Sequence, residues 1–150
     1  MPSTLTPALV RRVRQALTDA GEPAPEAAES AVEACVRAAL AGGDRPLIKL
    51  AVRASLAMLA DRAPGNSLEV RVPPFGAVQA IEGPRHTRGT PPGVVETSPE
   101  LWLRLSVGDT AWEQAVRDGA VRASGTRSDL SEQLPLWPRV VPPPPPGTKL

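Results

Sequence analysis

The chain has 150 residues, with 17 Lys and Arg against 16 Asp and Glu, and its formal net charge is +1. A chain of this length fits one ordinary domain and can bury roughly 70% of the surface that its unfolded form exposes. The balanced charge does not favour nucleic acid or an anionic membrane as a partner. Any basic binding site must therefore be formed by a small cluster of Lys or Arg residues. Membrane contact is expected to be transient at most.

Cysteine occurs once, at Cys35, where its spacing matches the apolar positions of a helix. A disulfide framework or a thiolate metal cluster cannot be built from it, which indicates a reducing compartment. The first residues lack the continuous apolar segment of a signal peptide, and no apolar run of about 18 residues occurs anywhere. We expect a soluble, cytoplasmic protein without a metal or another cofactor.

Three helices are predicted in residues 6–63. Thr6 followed by proline is typical of a helix start, and apolar residues then recur at helical spacing as far as Gly21. The same spacing predicts a second helix over 25–40 and a third over 44–63. The apolar stripe of the third helix is broad, which predicts that it is the most buried of the three.

The apolar period then changes from helical spacing to alternation. Leu68, Val70 and Val72 alternate with charged residues, as in a strand with one solvated face, and residues 75–82 continue as a second extended segment. A hairpin and a bulged long strand both fit this pattern. After a loop rich in proline and glycine, residues 94–97 can return as a short strand.

Short elements are predicted in the C-terminal part of the chain. A helix is expected over 98–108, and Thr110 with Glu113 is typical of a capping box at the start of another helix. A short strand is predicted over 120–124, and a last short helix over 129–134.

The order of these elements, helices first and then strands interrupted by helices, indicates an α+β fold. We expect one domain over residues 1–138, with a helical part over 6–63 and a sheet-containing part over 66–138. Residues 139–150 are rich in proline and are expected to form an extended or disordered tail.

Two stretches of the chain resemble the sterol carrier protein type-2 superfamily. Residues 94–134 resemble its closing segment, and residues 67–97 resemble the signature of its bacterial, actinobacterial-type branch. In the closing segment the matching positions are Leu101, Leu105, Gly108, Ala115, Gly119, Val121 and Gly125.

The resemblance implies a twisted, mainly antiparallel sheet covered by helices, to which the predicted N-terminal helices add a further layer. It also implies an elongated apolar cavity in which members of the superfamily hold sterols, fatty acids or acyl-CoA, and a non-catalytic role as a lipid carrier. The last predicted helix is less apolar here, so a smaller, more open or absent cavity is an alternative. The residues predicted to line the cavity are Phe75, Val78, Ile81, Leu101, Trp102, Leu105, Trp112, Val116 and Leu130.

The polar end of such a ligand has a candidate site in one loop. The only histidine, His86, lies between Arg85 and Arg88, and two guanidinium groups with an imidazole suit a carboxylate, a phosphate or a CoA head group. The alternative is a structural loop in which an arginine pairs with Glu82 or Glu96.

Two other functions stay open from the sequence. The apolar candidates can fill a core without any ligand, which would leave an accessory domain that binds a protein partner through the arginine loop or the proline tail. A small-molecule enzyme that uses Arg85, His86 and Arg88 is the weaker alternative. The chain has no recognisable catalytic triad and no second histidine to complete a metal site, so we expect no catalytic residue.

Overall fold

The computed structural model describes residues 3–83, 93–125, 128–138 and 146–147. These residues form an α+β fold, as predicted from the order of the elements. The elements in chain order are α1 (Pro7–Asp19), α2 (Ala28–Leu40), α3 (Arg45–Arg62), β1 (Leu68–Val72), β2 (Gly76–Ala80), β3 (Gly93–Glu96), α4 (Pro99–Val107), α5 (Trp112–Arg117) and β4 (Arg122–Gly125).

Side chains set the starts of α1, α3 and α4. Thr6, Asp44 and Ser98 each accept a hydrogen bond from the backbone N–H three residues further on, and a proline occupies one of the first two helical positions in each case. The cap satisfies an N–H that has no partner inside the helix, and proline has no N–H to leave unsatisfied there. The predicted starts of these three helices are confirmed.

The predicted start of α2 is wrong. The helix begins at Ala28 rather than at Pro25, and no side chain caps it. The reason lies in α1, where the guanidinium of Arg14 donates hydrogen bonds to the carbonyl oxygens of Pro25 and Glu26. These two carbonyls are therefore occupied by a neighbouring helix when the chain enters α2.

The capping box predicted for α5 is also wrong. The N-cap of this helix is Ala111, and no side chain caps it. The backbone N–H of Thr110 points back to α4 and donates to the carbonyl oxygen of Arg104 at 3.4 Å. Thr110 thus completes the end of the preceding helix instead of beginning the next one.

The last predicted helix, over 129–134, is a single turn. The carboxylate of Asp129 accepts hydrogen bonds from the backbone N–H and the hydroxyl of Ser131, each at 2.9 Å. A side chain that bonds its own neighbouring backbone competes with helix formation. The strand predicted over 120–124 is present but shifted, because β4 begins at Arg122.

The four strands form one mixed sheet in the order β2-β1-β3-β4. Strand β1 pairs antiparallel with β2 and parallel with β3, and β3 pairs antiparallel with β4. At the turn between β1 and β2 the N–H of Phe75 donates to the carbonyl of Val72 at 2.9 Å. Of the two alternatives for this segment, the hairpin is therefore the one that forms.

Helix α3 packs against β2, and one hydrophobic cluster includes buried residues of both the helices and the strands. Helix α3 contributes nine buried residues to the core, against five from α2 and three from α1. Within the described ranges, no helix combines the length and the hydropathy needed to cross a membrane. The largest side chains that are fully buried are Trp102, Leu17, Leu56, Met58, Leu59, Leu68, Leu103, Leu105, Leu130, Leu136, Val13 and Val32.

One carboxylate ties the segment before α1 to the end of α3. Asp61 accepts hydrogen bonds from the hydroxyl of Ser3 and the backbone N–H groups of Thr4 and Leu5, at 2.5, 2.6 and 2.9 Å. Desolvation by itself raises the pKa of Asp61, but the hydrogen bonds from Ser3, Leu5 and Thr4 together outweigh it and hold the pKa below its ordinary value.

Replacing Asp61 by Ala is expected to lower the free energy of unfolding at neutral pH by about 1 kcal/mol, as for the loss of a helix cap. Because the folded-state pKa is lower than the unfolded one, this stabilisation is present above the unfolded pKa and is lost as the pH falls through the folded pKa. Urea denaturation of both proteins at about pH 7 and about pH 3 measures the difference, which should shrink in acid. A difference of equal size at both pH values would contradict this assignment.

Two backbone segments approach closely at the turn between α3 and β1. Gly65 has a φ of 147°, and a Cβ atom at this position would lie 2.1 Å from the carbonyl oxygen of Ile81. Ile81 itself has a φ of 68° and donates its N–H to the carbonyl of Ala63 at 2.6 Å. The end of β2 is therefore fixed against the end of α3 by backbone contacts.

Gly65→Ala is expected to destabilise the protein by about 3 kcal/mol or more, because steric overlap with the Ile81 carbonyl adds to an unfavourable φ. Gly21 is a matched control: its φ is 75°, and no atom lies within 4 Å of a Cβ placed there. Gly21→Ala should cost only the conformational penalty of about 1–2 kcal/mol. Denaturant unfolding of the two variants compares them, and equal losses would rule out the close approach.

Candidate functional site

Trp102, one of the predicted cavity residues, fills the interior between α3 and α4. Its side chain has no exposed surface, and its Nε1 donates a hydrogen bond to Oγ of Ser55 at 2.9 Å. Oγ of Ser55 in turn donates to the carbonyl oxygen of Ala51 at 2.7 Å. A fully buried indole needs such an acceptor, because an unpaired N–H in an apolar interior is costly.

Ser55→Ala is expected to lower the free energy of unfolding by about 1–3 kcal/mol, because it leaves the indole N–H of Trp102 buried without an acceptor. Adding Trp102→Phe removes that N–H as well, so the double variant should lose less than the sum of the two single losses. Urea denaturation of the two single variants and the double variant completes the cycle. Strict additivity would mean that the hydrogen bond does not contribute to stability.

Five other predicted residues also pack on the core. Phe75 is 7% exposed; the guanidinium carbon of Arg45 lies 5.0 Å from its ring centroid, and Nε of Arg53 donates to its carbonyl at 3.0 Å. Leu130 is fully buried. The predicted residues that are half-buried and pack against the core are Val78, Ile81 and Leu101.

The remaining three predicted residues lie along two neighbouring clefts in the C-terminal part of the fold. Leu105 and Trp112 line a cleft of about 220 Å³, and Trp112 and Val116 line a second one of about 300 Å³. Trp112 therefore borders both clefts. The first cleft is lined by Leu105, Gly108, Thr110, Ala111, Trp112, Glu113, Leu134 and Pro135. The second is lined by Trp112, Glu113, Val116, Arg117, Asp129 and Ser131.

One wall of these clefts is firmly attached to the core. Gly108 ends α4 with a φ of 80°, and a Cβ atom there would lie 3.5 Å from Pro135. The backbone N–H of Leu136 donates to the carbonyl of Ser106 at 2.9 Å, and Arg62 donates to the carbonyl of Leu136. The segment around Pro135 is thus held by both α3 and α4.

The opposite wall, α5, is held less strongly. This helix has six residues, of which only Trp112 and Ala115 are buried. Val116, which lines the second cleft, is 46% exposed. Of the two walls, α5 is therefore the one that can move with the smaller loss of buried area.

Several cleft residues were not among the predicted site residues. Asp129, Ser131 and Leu134 come from the segment that was expected to be a helix, and Pro135 follows it directly. The helical spacing gave no indication that these residues line clefts beside α5. The apolar run over 134–137 was the available signal, because such a run after a turn must pack on some neighbouring surface.

A larger cleft, which the sequence did not predict, lies where the ends of α1 and α2 meet the start of α3. Its volume is about 630 Å³, and its lining includes Ala16, Ala38 and Leu50 together with the charged residues Arg12 and Glu22. A neighbouring cleft of about 420 Å³ shares Ala38 and Glu22. Because Ala38 lines both of them, it is a useful position for a control variant.

The residues predicted to bind a polar head group, Arg85, His86 and Arg88, lie outside the described residues, and their role stays a prediction. Of the two carboxylates proposed as partners in the alternative, Glu96 is 3.9 Å from Arg122 of β4. That arginine lies on the neighbouring strand, opposite Glu96 in the register.

Cys35 has no exposed surface, and desolvation by burial raises the pKa of its thiol to about 11. A thiol with such a pKa is not an activated nucleophile. In the part of the chain that the structure describes, no three His, Cys, Asp or Glu residues are grouped so that they could hold a metal ion.

The described residues thus form an α+β fold with two C-terminal clefts, each of which is lined by both apolar and polar side chains. A family model described as a bacterial SCP ortholog matches residues 44–136, more than half of the chain. The protein belongs to this bacterial sterol carrier protein family, and the resemblance seen in the sequence is confirmed. No curated protein matches the chain. The matched range includes both C-terminal clefts and leaves α1 and α2 outside.

Proposed function

We propose that the protein is a non-catalytic, cytoplasmic carrier of an apolar small molecule such as a sterol-like lipid, a fatty acid or an acyl-CoA. Membership of the sterol carrier protein family supports apolar ligand binding in general. The observation that carries the proposal is the position of Trp112, which lines two adjoining clefts inside the matched range.

The volumes of these clefts indicate how a ligand enters. Pockets for small organic ligands have volumes of roughly 300–1,000 Å³. The clefts of about 220 and 300 Å³ each lie at or below the lower limit of that range. Two of the predicted cavity residues, Trp102 and Leu130, line neither cleft and have no exposed surface. A ligand tail therefore requires both clefts together, which Trp112 can join by turning or by moving with α5.

The energetics of such a site suit reversible uptake. Burying a tail of about ten methylenes gains roughly 8 kcal/mol at about 0.8 kcal/mol per methylene. Association and ordering cost roughly 4–15 kcal/mol. Moving Trp112 costs, in addition, part of the free energy that the burial of its side chain contributes. The two sides are of similar size, so we expect weak, exchangeable binding, which is what delivery by a carrier requires.

A second candidate function is supported by the same filled interior. Complete burial of Trp102 and Leu130 is also what a domain without any ligand would have. In that case the protein would be an accessory domain that binds a protein partner. The two functions differ in one measurable property, which is the binding of apolar molecules to the purified protein.

Native mass spectrometry of the purified protein, with lipid extraction, is expected to show an apolar ligand. Titration with the neutral fluorescent probe phenylnaphthylamine then measures binding. Val116→Asn and Trp112→Phe should each weaken probe binding severalfold, because they remove apolar surface from the shared clefts. Since Val116 is 46% exposed, its replacement should leave the free energy of unfolding nearly unchanged.

Ala38→Asn is the matched control, because Ala38 lines only the clefts near α1 and α2. Its affinity for the probe should equal that of the wild type. Loss of probe binding in this variant, with Val116→Asn unaffected, would move the ligand site to the N-terminal helices. A protein that carries no lipid and binds no probe would favour the accessory domain.

A further inference from the structure

We propose that the exposed side of α3 is a docking surface for an acidic segment of a protein partner. Three basic residues, Arg45, Lys49 and Arg53, define this surface, which we call the α3 basic face. None of the three lines any of the clefts described above. The surface is therefore separate from the proposed ligand site and does not depend on the carrier function.

The α3 basic face is a continuous strip along the helix. Residues four apart in an α-helix are neighbours on its surface, and the strip from Arg45 to Arg53 is about 12 Å long at about 1.5 Å per residue. Over residues 45–59, the exposed residues are these two arginines, Lys49 and Pro46, and all other side chains are buried or half-buried. In this range the solvated side of α3 therefore carries positive charge alone.

No carboxylate neutralises the α3 basic face. All 16 Asp and Glu residues lie within the described ranges, and none of them forms an ion pair with Arg45, Lys49 or Arg53. Strand β2, which packs against α3, and the turn before it have no charged residue over 73–80. Carboxylates of the other helices packed on α3 bond other side chains: Asp19 with Gln15, Glu29 with Arg62, Glu33 with Arg37 and Glu100 with Arg104. The positive charge is therefore available to another molecule.

Phe75 holds two of the three cations in place. The guanidinium carbon of Arg45 lies 5.0 Å from the centroid of the Phe75 ring, and Nε of Arg53 donates to the Phe75 carbonyl at 3.0 Å. Phe75 is itself a buried member of the hydrophobic cluster, so it is a fixed support. The contact of Arg53 uses Nε and leaves the two terminal nitrogens, which form a fork that can bind a carboxylate through two hydrogen bonds.

These features favour a protein segment over an anionic membrane as the partner. Binding to a membrane surface depends on inserted apolar side chains as well as on cations. Within the described ranges, the exposed large apolar side chain is Val116 of α5, and the α3 basic face has none. A partner helix with Asp or Glu at i, i+4 and i+8, in contrast, presents carboxylates at the intervals of the three cations.

An NMR titration of the isotope-labelled protein with two synthetic helical peptides tests this docking surface. Both peptides consist of Ala and Gln with three Glu residues. The first has Glu at i, i+4 and i+8, and the second has Glu at i, i+5 and i+10, which distributes the charges around the helix. At low salt the first peptide should shift the amide signals of residues 45–53 and bind about fivefold more tightly than the second.

Lys49→Glu reverses the central charge of the α3 basic face. The side chain of Lys49 forms no hydrogen bond or ion pair in the part of the chain that the structure describes, so the fold should be unaffected. This variant should bind the first peptide about tenfold more weakly, because repulsion replaces attraction. Arg11→Glu is the matched control: Arg11 is exposed on α1, and its replacement changes the net charge equally. It should bind with about the wild-type affinity.

Arg45→Lys with Arg53→Lys keeps all three charges and removes both guanidinium forks. Binding of the first peptide should weaken severalfold, because lysine offers a point charge without the paired donors of arginine. Unchanged affinity would contradict the role given to these arginines.

Other results would overturn the inference in distinguishable ways. Equal losses in Lys49→Glu and Arg11→Glu would mean that net charge alone decides binding. Binding to phosphatidylcholine vesicles with about 30% phosphatidylserine, but not to the peptide, would make the surface a membrane contact if Lys49→Glu abolished it. Failure of both peptides to bind would contradict a docking surface for acidic segments. None of these outcomes changes probe binding at the clefts around Trp112, by which the carrier function is tested.

Discussion

The contact between α3 and α4 through Trp102 and Ser55 is the constraint on which the rest of the fold depends. Helix α3 packs against β2 and against α1 and α2, whereas α4 is capped by Gly108 and precedes α5. The hydrogen bond from the Trp102 indole fixes these two helices relative to each other at a fully buried position. The position of α4 in turn sets where Leu105 borders the C-terminal clefts.

A filled core and a carrier function are compatible when the ligand binds in a surface cleft rather than in the interior of the protein. Trp102 and Leu130 have no exposed surface, so neither side chain has apolar surface that water must cover. The clefts beside Trp112 lie between a wall fixed by Pro135 and a short helix with two buried residues. Under the proposed carrier function, uptake at this position would exchange one set of apolar contacts for another, which would keep the net free energy of binding small.

The sequence was sufficient to predict those elements whose ends are set by interactions between neighbouring residues. Helices that combine a capping side chain with an early proline, as at Thr6 and Ser98, could be predicted, because both effects act within one turn. The start of α2 could not, because it depends on Arg14 of another helix. The residues of the candidate site stay predictions for a related reason: apolar periodicity indicates which side chains point inward, but not whether Trp102 packs in the core or Trp112 borders a cleft.

The family match begins at Asp44, although the packing of α3 does not stop there. The side of α3 that faces away from the sheet is covered by α1 and α2, and Asp61 holds the residues before α1 against the end of α3. Both of these helices precede the matched range. A gene segment cut at the family boundary would therefore encode a helix with an uncovered apolar side, prone to self-association. The unit that sequence comparison recognises in this protein is smaller than the unit that its packing requires.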